Sequence, residues 1–300
     1  MILSAIKNIG RALANLKPSG VRAAAEQTVI VGLTGSDGER LAAIEGFLAP
    51  PDLAQDKRVD ALRHIYRTNI PGAPTKFDIE IQDEVQPPTR GVFDFPFSAP
   101  SLIVERILRE REELSLPLAR LFPPFRDEAC RQIVRRIAKE NALFSLLTAL
   151  PNVVPSPIEL PWAVGEFASD TAILTANQIR MAFLLAAAND RKVGYAAQKI
   201  ELSSIVAGAF GWRALARELV GKVPLGAGLI PKAAVAYAGT FVVGKSVARS
   251  YRFGHGLSRS ERKSLYGSAY DRGKQIAAAL LEGIHAKKKA DPSPEATEPL

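Results

Sequence analysis

The sequence predicts a mainly α protein: a C-terminal bundle of helical hairpins preceded by a small α/β region. Three observations predict it. Residues 141–248 form a long apolar block, punctuated by Pro and Gly, with only 6 acids and 9 bases in 108 residues. Residues 27–95 hold short strand-like runs separated by Gly- and Pro-rich turns. After Gly256 a capping box, Ser258-Arg-Ser-Glu261, opens an amphipathic helix. The implied organisation is an N-terminal helix over 1–20, the α/β region over 27–100, a helical domain over 101–285 and a disordered tail over 286–300.

Residues 1–17 read as a basic amphipathic helix. Ile2, Ile6, Ile9, Leu13 and Leu16 fall within one arc of about 80°. Lys7 and Arg11 lie opposite that stripe, and no acid precedes Glu26. Pro18-Ser-Gly20 ends the helix. Such a stripe suits a helix lying in a membrane interface, and equally a helix docked on its own domain.

In the α/β region, Thr28-Val-Ile-Val-Gly-Leu33 predicts a buried strand and Thr34-Gly-Ser-Asp-Gly38 a turn, with a helix over Glu39–Leu48. Asp56–Asn69 reads as a helix closed by Pro71-Gly72. Lys76–Ile81 and Gly91–Phe95 are further strands. Helices then follow over Leu102–Leu114, Arg126–Leu150, Pro161–Asn189, Tyr195–Lys222 and Lys232–Tyr251, each separated by prolines or glycines. The capping-box helix runs to Ile284. It carries Tyr266, Ala269, Tyr270, Gly273, Ala277, Leu280, Leu281 and Ile284 on one face.

The apolar block must be hidden from water, in a core or in lipid. A spanning helix needs about 20 mostly apolar residues. The longest charge-free run, Asn141–Ile158, is broken by Pro151, Pro155 and Pro157. Val223–Gly244 carries one charge, Lys232, beside Pro231. A compact set of hairpins touching the membrane is the expectation. Ala236, Thr240 and Gly244, at four-residue spacing, permit close helix approach and are candidate membrane or partner contacts with the N-terminal stripe. Glu166, Asp170, Asn177 and Arg180 also share an arc of about 80°. They form either a solvated face or a buried polar stripe pairing Asp170 or Glu166 with Arg180 or Arg213.

Charge is placed unevenly. Residues 245–289 hold 11 Lys and Arg against Glu261, Asp271 and Glu282, so their net charge of +8 equals that of the whole chain. A basic zone behind an apolar block fits a cytoplasmic-side membrane flank or attraction to anionic lipid. It places the chain at the cytoplasmic side of the inner membrane, peripheral or partly inserted. A homo-oligomer or a protein partner suits the apolar surface as well. Nucleic acid is disfavoured, because aromatic residues make up 7% of the chain and no nucleic-acid-binding signature occurs. One cysteine, Cys130, excludes an internal disulfide, suits a reducing compartment and reads as a packing residue. No cleavable signal peptide is visible.

Chemical motifs are sparse. Gly239-Thr-Phe-Val-Val-Gly244-Lys245-Ser246 spells the P-loop string, yet its inner residues are bulky and its surroundings helical, so it reads as coincidence. Gly32-Leu-Thr-Gly35-Ser36-Asp-Gly38-Glu-Arg40 has the right context of strand, loop and helix. It lacks the Lys and the Ser/Thr and is one residue too long. Gly32, Gly35, Ser36 and Gly38 are thus weak nucleotide-binding candidates. His64, His255 and His285 show no metal-ligand spacing. Acid pairs such as Asp83-Glu84 and Glu112-Glu113 read as solvated. No catalytic residue, metal or cofactor is expected.

Residues from about Asn141 to Gly254 resemble a bacterial domain family of unknown function. The resemblance rests on Pro155-Ser-Pro157, Gln178-Ile-Arg-Met181, Val223-Pro-Leu-Gly226 and Ala234-Val-Ala-Tyr237-Ala-Gly-Thr240 followed by Gly244. Members of that family are small membrane-associated proteins or are fused behind Era-like GTPase domains. Residues 27–100 are too short for such a GTPase, and neither Asn-Lys-x-Asp nor Asp-x-x-Gly occurs. The resemblance implies a shrunken or inactive pseudo-GTPase-like region. The expectation is a non-enzymatic membrane-associated interaction or scaffold protein; the alternative is a degenerate GTPase-related nucleotide-binding regulatory protein.

Overall fold

The computed structural model describes residues 16–84, 89–149, 170–208 and 229–290, with side chains as far as Ile284. Ile2, Ile6, Ile9, Leu13, Glu166, Arg213 and the tail beyond residue 290 lie outside the described residues.

A short helix α1 (Pro18–Ala25) leads into β1 (Val31–Thr34), α2 (Gly38–Leu48) and α3 (Gln55–Leu62). Then come β2 (Ile65–Arg67), β3 (Ile79–Gln82) and β4 (Val92–Asp94). The four strands form one parallel sheet of order β2-β1-β3-β4, with Val31 opposite both Ile65 and Ile79. β1 is central, and Val31 and Leu33 are fully buried, as an apolar β-branched strand covered on both faces should be.

One expectation fails here. The helix read over Asp56–Asn69 ends at Leu62, and Ile65–Arg67 becomes β2. The backbone makes the reason plain: Val31 N–H donates to His64 O at 2.8 Å and Thr68 N–H to Leu33 O at 2.9 Å. Pairing with β1 overrides local helix pattern in a segment only three residues long.

The rest is helical: α4 (Ser101–Glu110), α5 (Ser115–Leu121), α6 (Arg126–Leu147), α7 (Asp170–Ala188), α8 (199–208), α9 (Leu229–Phe253) and α10 (Arg259–Ala290). α9 lies against both α6 and α10, and α7 packs on α6 and α9. The protein is mainly α, with a C-terminal helical bundle behind a small α/β region. The face expected to turn inward on α10 does so, with Ala269, Gly273 and Ala277 buried. At Gly273 an added Cβ would lie 3.0 Å from the Ala234 backbone, so the two helices meet there at close range. α10 also continues through residues 286–290, which the sequence assigned to the tail. Ala and Lys are good helix formers, and Lys287, Lys288 and Lys289 sit where the helix dipole favours cations.

One apolar core joins both regions. It runs from Val31, Ile81 and Phe93 in the sheet through Phe122, Phe125 and Ile133 to Phe183, Val247 and Tyr251 in the bundle. The apolar stretch Thr171–Ala188 of α7 is 83% buried inside this packing. That is the burial of a core helix, and no other described helix is long and apolar enough to cross a membrane.

Candidate functional site

In a parallel sheet of this order the chain winds away from β1 in opposite directions, and ligands bind beyond the carboxyl ends of β1 and β3. The Gly35 loop crosses that point. Thr34 Oγ1 donates to Glu80 Oε1 at 2.5 Å and lies 2.9 Å from Thr68 Oγ1, which ties the strand ends together.

Phosphate binding at such a loop needs free backbone N–H groups and a nearby cation. Here Asp37 caps α2: its Oδ1 accepts from the N–H groups of Glu39 and Arg40 at 2.9 and 3.2 Å. The carboxylate of Asp83 fills the hollow beside Gly35, where an added Cβ would come within 2.3 Å of Asp83 Cγ. Asp83 is 4% exposed, and its Oδ2 is buried without a hydrogen-bond partner. Sequence reasoning took this residue for a solvated acid. Its burial is set by Gly35, 48 residues earlier, and by β3 reaching under the loop.

The two positions after Gly38, where a P-loop carries Lys and Ser/Thr, hold Glu39 and Arg40. The Arg40 guanidinium donates to the Asp83 carbonyl and lies 4.5 Å over the Phe97 ring, so its charge is already engaged. Of the four candidates, Gly32 is required because an added Cβ would meet the Phe77 ring at 2.7 Å, and Gly35 because one would meet Asp83. Ser36 and Gly38 are exposed, with open space around Gly38. The site is a closed, carboxylate-lined turn.

The literal P-loop string, Gly239–Ser246, lies wholly within α9. Its Lys245 ammonium sits 6.0 Å over the Phe241 ring, and Ser246 Oγ accepts from the Leu257 N–H at 3.0 Å. Both side chains serve helix packing and the turn that follows.

Of the polar stripe on α7, Asn177 and Arg180 have partners on α6, while Glu166, Arg213 and the side chain of Asp170 lie outside the described residues. Asn177 is 1% exposed. Its amide donates to Asn141 Oδ1 at 2.8 Å and to Glu140 Oε2 at 3.3 Å, both on α6. Arg180 pairs with Glu140 of α6 at 3.3 Å. Asn141 and Gln178 both donate to Thr240 Oγ1 on α9, at 2.8 and 3.1 Å. Burial draws the Arg180 guanidinium below its ordinary value while Glu140 opposes the shift. The network can fix the register of three helices.

Thr240 and Gly244, candidates for membrane or partner contact, are used internally. Thr240 is 1% exposed, and a Cβ at Gly244 would meet Met181 Sδ and Val134 Cγ2 at 2.8 Å. Small residues at this spacing serve helix approach within the bundle, and Ala236 is half-buried beside them. Leu16, the one described member of the N-terminal stripe, packs on the core, and its carbonyl accepts from the Tyr195 hydroxyl at 3.1 Å.

Cys130 is buried. Asn189 Nδ2 donates to its sulfur at 3.3 Å, and burial pushes the thiol up to about 11, so it is a packing residue rather than a nucleophile. His64 binds the Val29 carbonyl at 2.9 Å. No group of three His, Cys, Asp or Glu side chains capable of holding a metal exists among the described residues.

What sequence reasoning missed is the exposed Phe253 at the end of α9, beside the turn into α10. Phe253 is 59% exposed there, with the Arg252 guanidinium 5.0 Å over its ring. No family model, curated protein or solved structure matches this chain.

Proposed function

We propose that this chain is a non-enzymatic, membrane-associated helical protein that acts as an interaction or scaffold module on the cytoplasmic side of the membrane. One observation carries the reading. The surplus positive charge lies on the outside of a bundle whose apolar helix is enclosed. Arg252, Arg259, Arg262, Lys263, Arg272 and Lys274 are all exposed. A basic residue held at an anionic bilayer contributes about 1 kcal/mol, so a cluster of exposed cations adds up to useful attraction.

Among the described residues, Asn141, Asn177, Gln178 and Thr240 hydrogen-bond to one another across α6, α7 and α9, which suits a packed helical scaffold. The turn at Gly35 is lined by its own carboxylates, which repel a phosphate. Membrane fractionation tests the reading: the chain should pellet with membranes and be released by a carbonate wash. Quantitative recovery in the soluble fraction before any wash would contradict it.

A second reading, a degenerate nucleotide-binding regulatory protein, draws on the Gly35 loop lying at the ligand-binding edge of a parallel sheet. Binding there requires Asp37 and Asp83 to move aside. Isothermal titration with GTP and ATP in the presence of magnesium decides it, and absence of heat at high nucleotide concentration removes it.

A further inference from the structure

We propose that one end of the bundle, built around Phe253, Leu16 and the first turns of α10, is a single docking surface for an anionic bilayer. The inference rests on the membrane-associated reading above and assigns the face that makes the contact.

The sequence separates these parts widely, and the fold brings them together through the segment after α7. Arg191 donates to the Tyr251 carbonyl at 2.6 Å and lies 5.3 Å over the Tyr251 ring. Four residues on, the Tyr195 hydroxyl holds the Leu16 carbonyl, and its ring meets Phe183 edge-on at 5.2 Å. Residues 16 and 251 are thereby fixed to the same short stretch of chain.

Phe253 follows Tyr251 by two residues. Gly254, at φ +79°, stops α9 in a left-handed conformation that turns the chain into α10. Gly256 allows the turn to close, since a Cβ there would meet Ser246 Oγ at 2.6 Å. An aromatic ring held outward by a rigid turn and bordered by arginine suits the boundary between headgroups and acyl chains.

Charge complementarity selects the occupant. The nearby acids are already matched: Glu261 with Arg249 at 2.5 Å, and Asp127 with Arg252. Arg259, Arg262 and Lys263 are exposed in the first turns of α10 and form no ion pair among the described residues. An exposed aromatic ring amid unmatched cations fits an anionic bilayer, which offers both an apolar layer and negative charge. Nucleic acid offers only the charge.

The experiment is co-sedimentation of the full chain with vesicles of phosphatidylcholine alone or mixed with phosphatidylserine. Three variants are compared with wild type: Arg262→Glu/Lys263→Glu at the corner, Phe253→Ser, and Arg109→Glu/Arg136→Glu as a charge-matched control elsewhere. The corner double variant should lose at least about tenfold in affinity for anionic vesicles, against less than about threefold for the control. Phe253→Ser should weaken binding by about fivefold with an unchanged melting temperature, because the ring is exposed. Equal losses in the corner and control variants, or none in either, would overturn the surface while leaving the membrane reading intact. Tighter binding to duplex DNA than to anionic vesicles would overturn it too. Failure of wild type to bind vesicles of any composition would instead remove the reading on which it rests.

Discussion

The Asn141 side-chain amide donates to Thr240 Oγ1 at 2.8 Å, across 99 residues of sequence. Asn141 also accepts from Asn177, so one residue of α6 links α7 and α9. In an apolar bundle such a link favours the register in which these faces meet, because slipping it would separate buried, paired amides.

Replacing Asn141 by Leu should therefore cost about 2 kcal/mol, since Thr240 and Asn177 lose a partner while buried. Thr240→Val should cost a similar amount. Combined, the two should fall short of additivity by about 1 kcal/mol, because both remove one interaction. Chemical denaturation of the four proteins measures the cycle, and strict additivity would disprove the coupling.

Gly35 and Gly38 should respond oppositely to the same change. Gly35→Ala places a methyl group on the Asp83 carboxylate and should destabilise by about 1–3 kcal/mol. Adding Asp83→Ala should recover most of that loss. Gly38→Ala meets nothing within 4 Å at the first position of α2, and should stabilise by about 0.5 kcal/mol. Thermal melts of the three variants check this.

Gly244→Ala drives a methyl group into Val134 and Met181 and should cost about 1–3 kcal/mol. Val134→Ala opens space at that contact, so the pair should be more stable than the two costs added. Additive losses would mean that α9 approaches α6 elsewhere.

Two titrations have opposite signs. The Ser258 backbone N–H and the Arg249 guanidinium hold the Glu261 carboxyl down to about 2, below its ordinary 4.5. A depressed folded value adds stability that is present above the unfolded value and lost as pH falls from about 4.5 towards 2. Helix α10 should fray from its N-terminus over that window, and Glu261→Gln should abolish the pH dependence. For Cys130 the folded value is raised from 9.0 to about 11, so its contribution is present below 9.0 and lost as pH rises through 11. A thiol reagent at pH 8 should modify the native protein slowly and the urea-unfolded chain at once.

Much of this fold was legible in the sequence because its punctuation is physical. Pro123 and Pro124 precede α6, Gly254 follows α9, and Ser258 with Glu261 forms the reciprocal cap seen before α10. The inward face of α10 follows from helical periodicity alone. β2 was hidden because three residues carry no periodicity, and only β1 makes them a strand. The polar stripe of α7 was visible as Asn177 and Arg180, but its partners Glu140 and Asn141 lie on another helix and share no local pattern with it. Asp83 misled because its sequence neighbours are charged, while its burial is decided by Gly35. Phe253 carries no sequence signal beyond an aromatic beside arginines, and its exposure comes from the turn.

The most direct test of peripheral association by an enclosed bundle is flotation of the detergent-free full chain with vesicles at low and high salt. It should float with anionic vesicles at low salt and be released at high salt, because screened surface charge is what holds it. Flotation with neutral vesicles that persists at high salt, or none under any condition, would contradict it.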